Sequence, residues 1–117
     1  IYAVNSGGLT VDRSVLSANA AGGEGFGNGG GIHVANANAT IRQSTVSGNT
    51  ADGSGGGLSA GNAPYGGTIL VTQSTVSGNS GRFGGGLSVS NGYVLTAENV
   101  TVAENEAPYG GGLAIAG

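Results

Sequence analysis

The residues of this chain that could do chemistry are few: six carboxylates, one histidine, four tyrosines and no cysteine. Cleaving a glycosidic bond takes two carboxylates facing each other across a groove. The candidates are Asp12, Glu24, Asp52, Glu98, Glu104 and Glu106, and only the last three lie close together in sequence. Glu104 and Glu106 flank Asn105, where a solvated corner is the simpler reading. His33 has no second histidine and no carboxylate with a sequence reason to meet it, so neither general acid–base catalysis nor metal ligation follows. Without cysteine there is no thiol nucleophile, thiolate metal site or disulfide. Asp52-Gly53-Ser54 is a lone turn rather than a calcium-binding glycine-aspartate repeat. No catalytic, metal-binding or cofactor-binding residues are predicted, and the expectation is a protein without enzymatic activity.

Charge narrows the partners. Only 8% of residues are charged, there is no Lys, and the net charge is -3. Nucleic acid is not an expected partner, because phosphate binding draws on clustered Lys and Arg. An anionic membrane surface offers little attraction, and no apolar run reaches the roughly 20 residues of a spanning helix. The sequence starts at Ile1, so the lack of a signal segment carries no information.

With 27 Gly among 117 residues, such a chain is either disordered or periodic. It is periodic. A triple glycine followed by an apolar-x-apolar step recurs at Gly29-Gly30-Gly31, Gly55-Gly56-Gly57, Gly84-Gly85-Gly86 and Gly110-Gly111-Gly112, spaced 26, 29 and 26 residues apart. Ile1-Tyr2-Ala3 continues that series. Between these copies lies an eleven-residue motif ending in Asn, at Leu9 to Asn19, Ala39 to Asn49, Ile69 to Asn79 and Leu95 to Asn105.

Both motifs alternate apolar and polar residues, the period of a strand. Leu9/Ala39/Ile69/Leu95, Val11/Ile41/Val71/Ala97, Ser14/Ser44/Ser74/Val100 and Leu16/Val46/Val76/Val102 are predicted to point inward. A unit of 26 to 30 residues with three short strands cannot close a core alone. Stacking like on like pairs each strand in parallel with its copy and satisfies the backbone between coils.

The predicted fold is all-β: a right-handed parallel β-helix of about four coils, in one domain spanning 1–117. The coils are expected at 1–28, 29–54, 55–83 and 84–109, with a fifth beginning at 110–117. Handedness follows from coil length and the general right-handedness of parallel crossovers. Length variation is placed in the loops Ala20 to Asn28 and Asn62 to Thr68.

Asn19, Asn49, Asn79 and Asn105 are predicted to stack as an amide ladder, with their own backbone left-handed. Ala21, Ala51, Gly81 and Ala107 are small enough to turn the next corner inward. The triple glycines permit positive φ and close backbone approach. They form no phosphate loop, since no Lys-Ser/Thr follows.

Gly-Gly-Gly-[Ile/Leu], as at Gly29 to Ile32 and Gly110 to Leu113, and [Leu/Val]-x-x-Asn, as at Leu16 to Asn19 and Val46 to Asn49, resemble the Gly-Gly-Ala-[Ile/Leu/Val] and Phe-x-x-Asn repeats of bacterial polymorphic outer-membrane proteins and autotransporter passengers. Gly replaces Ala and Leu or Val replaces Phe throughout. The resemblance spans the chain and implies export and display at a cell surface, as fibre, stalk or adhesin.

Outward positions carry the remaining expectations. Tyr2, His33, Ser59, Ser88 and Ala114 form one outward column. Thr45, Ser47, Thr75 and Ser77 form a hydroxyl array, interrupted by Val15 and Ala103, that suits an ice-binding face but is explained more simply as solvated strand. Arg42 and Asp12 fall side by side as a surface pair. Asn38-Ala39-Thr40 and Asn99-Val100-Thr101 match a glycosylation sequon at the frequency expected by accident. Tyr65 and Tyr109 read as loop anchors in preference to sugar-stacking platforms. Both ends fall in the same strand motif without a polar cap, from which an excerpt of a longer solenoid, or end-to-end self-association, is expected. The function expected is that of an extracellular or bacterial-surface structural or adhesive solenoid, with a cell-surface or glycan ligand. A polysaccharide-binding or polysaccharide-cleaving β-helix is the alternative.

Overall fold

The computed structural model describes residues 1–23, 27–61, 64–90 and 92–116. Each turn of chain repeats the same short strands. The first has β1 (Tyr2–Val4), β2 (Leu9–Asp12), β3 (Val15–Ser17) and β4 (Ala20–Ala21). The second has β5 (Ile32–Ala35), β6 (Ala39–Arg42), β7 (Thr45–Ser47) and β8 (Thr50–Ala51). The third has β9 (Leu58–Ala60), β10 (Gly67–Thr72) and β11 (Thr75–Ser77), and the fourth β12 (Leu87–Ser90), β13 (Tyr93–Glu98) and β14 (Thr101–Ala103). β15 (Leu113–Ala116) follows.

All pairing between these strands is parallel, and it joins each strand to its copy one turn away. One sheet runs β1-β5-β9-β12-β15, a second β2-β6-β10-β13 and a third β3-β7-β11-β14. The chain is thus a parallel β-solenoid of about four coils. The registers match the motif alignment: Leu9, Ala39, Ile69 and Leu95 lie in one row, and Leu16, Val46, Val76 and Val102 in another. Besides the three sheets expected, β4 pairs with β8 and the row continues as single bridges from Thr50 to Ser80 to Glu106.

The core is the sum of these rows. Ile32, Ile41, Leu58, Ile69, Val46, Val71, Val76 and Val89 are each no more than 1% exposed. Removing such a side chain from water contributes about 1.5–3 kcal/mol, and the stack repeats the gain in every coil.

The corners explain how a short coil closes. Left-handed residues recur at Arg13, Gln43, Gln73 and Asn99, with φ of 45 to 54°, and again at Ala18, Gly48, Gly78 and Glu104, with φ of 55 to 62°. The second set corrects the expectation for the asparagine ladder. The left-handed residue is the one before each ladder Asn, which leaves the Asn itself free to point its side chain inward.

The triple glycines meet two different demands. Gly55 has φ +65°, whereas Gly56 and Gly57 are needed for space: a Cβ on Gly56 would collide with the Ser80 carbonyl oxygen, and one on Gly57 would sit 2.6 Å from that of Gly86 and 3.1 Å from Asn79 Nδ2. The third glycine of the run is therefore the floor on which the asparagine ladder lies.

Candidate functional site

Asn49 and Asn79 are 1% and 0% exposed. Asn79 Nδ2 donates to Asn105 Oδ1 and to the Val46 carbonyl, both at 2.9 Å, while its own Oδ1 accepts from the Asn49 backbone N–H and from Asn49 Nδ2, both at 2.9 Å. Asn19 donates to Asn49 Oδ1 in the same way. A second ladder runs beside it. The Ser14 and Ser44 backbone N–H groups donate to the hydroxyls of Ser44 and Ser74, each at 3.1 Å, and each serine hydroxyl donates to the carbonyl two residues before it at 2.7 Å. Inward polar side chains are thus spent on holding coils together.

The described carboxylates are dispersed over the surface. Glu98, Glu104 and Glu106 are all exposed, with Glu98 level with Thr72 and Glu106 level with Ser80. Asp12 pairs with Arg42 through two contacts of 3.0 and 3.2 Å, and Arg13 Nε adds a third at 3.2 Å. The Arg42 hydrogen bonds, aided by both guanidinium charges, hold the Asp12 carboxyl below 3.8. Asp52 lies against the Gly22-Gly23 backbone, 3.4 Å from the Gly23 N–H. Glu24 lies outside the described residues. Among the described residues, no three of His, Cys, Asp and Glu come together as a metal site would require.

His33 departs from expectation. Its row was expected to face solvent, but His33, Ser59 and Ser88 are 5%, 4% and 8% exposed. The triple-glycine turns supply the cover. Gly29 folds back onto the Ile32 carbonyl and the His33 N–H, and the positions a Cβ would take on Gly84 and Gly110 lie 3.1 and 3.2 Å from the Ala114 Cβ, in the same row. A strand covered on both faces reads differently from one with a wet face.

Tyr2 stacks on His33 with ring centroids 5.0 Å apart and planes 21° apart. Among the described residues, His33 Nδ1 is buried with no hydrogen-bond partner, which costs about 1–3 kcal/mol for such a group. Burial also lowers the pKa of the imidazole from 6.5, so it is neutral at pH 7.

These two rings line a groove of about 630 Å³. One wall carries Tyr2, Val4, Asn5, His33, Ala35 and Asn36, from β1, β5 and the corners after them; the other carries Ala20 to Gly22, Gly27 and Asn28. Asn36 Nδ2 donates to Asn5 Oδ1 at 2.8 Å, and Asn28 Oδ1 accepts from the Ser54 N–H at 2.7 Å. Among the described residues, that leaves the Asn5 and Asn28 amide donors, Nδ2 in each case, without a protein partner. None of the described lining residues is charged.

The sequence reading did not single out Asn5, Asn28 or Asn36. The signal available was alignment of Val4-Asn5 with Ala35-Asn36 at the end of the first motif. Of the tyrosines it did single out, Tyr109 stacks on Phe83 at 5.2 Å while remaining 61% exposed, and Tyr65 is 87% exposed. The hydroxyl array is present as paired rows Thr45–Thr75–Thr101 and Ser47–Ser77–Ala103.

No family model, no curated protein and no solved structure matches this chain.

Proposed function

We propose that the chain is a structural and adhesive segment, extracellular or at a bacterial cell surface, that works as a fibre, stalk or adhesin part and catalyses nothing. The observation that carries this reading is the use of its buried polar side chains: Asn49, Asn79, Ser44 and Ser74 bond from coil to coil. Such a stack resists bending because each coil is tied to the next by backbone, amide and hydroxyl bonds at once. The resemblance of its two motifs to surface-displayed bacterial repeats supports export. The partners this implies are further coils, of this chain or of another copy stacked end to end, and a ligand on a cell surface such as a glycan.

Two measurements test it. Pulled from its ends, the chain should yield in steps of one coil, each releasing roughly 90 to 100 Å of extended backbone. Immobilised, it should retain bacterial or host cells above a blank surface. Compact particles that unfold in one step at low force, with no affinity for cells, would contradict the proposal.

A further inference from the structure

We draw no further inference here: the strongest candidate, the surface patch of hydroxyls that Thr45, Ser47, Thr75 and Ser77 form on the outward face of β7 and β11, is a stripe of small side chains with nothing beside it among the described residues that points to a ligand.

Discussion

Asn79 donates to Asn105 across 26 residues with the same 2.9 Å geometry that Asn49 uses to reach Asn79 across 30. The ladder spacing is therefore indifferent to loop length. Insertions leave the coil through its loops, and the row of amides stays in step.

That position predicts a steep cost for breaking the middle of the ladder. Asn79→Ala removes the acceptor of the Asn49 N–H and a donor to the Val46 carbonyl, both in the buried interior. The loss should be about 3 kcal/mol. Asn19→Ala, at an exposed position, should cost about 1 kcal/mol. Chemical denaturation of the two variants checks the order; equal losses would mean that the amides are not acting as a ladder.

Glycines separate into those needed for space and those needed for φ. Gly57→Ala places a methyl group against the Gly86 carbonyl oxygen and should cost about 2–3 kcal/mol. Gly48→Ala meets nothing nearer than 4.0 Å but sits at φ +62°, so about 1 kcal/mol is expected. Ala18→Gly, at the equivalent left-handed corner, should stabilise by a few tenths of a kcal/mol, the relief of φ being partly offset by chain entropy. Thermal melts of the three variants read the signs directly.

Acid should act through His33. Its pKa is lowered from 6.5 by burial, so between that lowered value and 6.5 the unfolded chain binds more protons than the folded one. Stability is then full above 6.5 and falls as the pH drops from there toward the lowered value. Denaturation midpoints at about pH 7.5 and about pH 5.5 should differ, and His33→Gln should abolish that part of the difference.

Asp12 titrates in the opposite sense. Its carboxyl is held below 3.8, first by the Arg42 hydrogen bonds, so its contribution is present above 3.8 and is lost as the pH falls through the lowered value. Arg42→Ala should move the Asp12 titration, followed by NMR, upward toward 3.8. The denaturation midpoint at neutral pH should hardly change, because the pair is exposed to water.

Strand register was legible because the eleven-residue motif aligns without gaps, and a slip of one residue would turn Val46 and Val76 outward. The corners were not legible. Arg13, Gln43, Gln73 and Asn99 share a left-handed conformation across three residue types. Their geometry comes from the coils above and below, so composition at the site does not announce it. Burial of His33 was hidden for a similar reason: its cover is the glycine turn that precedes its own strand together with the Tyr2 ring one coil away. The groove, built from β1, β5 and the segment after β4, brings together residues separated by up to about thirty positions, and only the closed coil does so.

The central claim is that equivalent strands lie over one another in parallel and in register, and the absence of cysteine makes it open to a clean test. Thr45 and Thr75 are register partners on the outward face of β7 and β11. Adjacent strands lie about 4.8 Å apart, whereas the diagonal from Thr45 to Ser77 spans about 8 Å, beyond the reach of a disulfide. Under mild oxidation, the Thr45→Cys/Thr75→Cys chain should close an intramolecular disulfide and the Thr45→Cys/Ser77→Cys chain should stay reduced. Closure of the second pair in preference to the first would contradict the stacked solenoid.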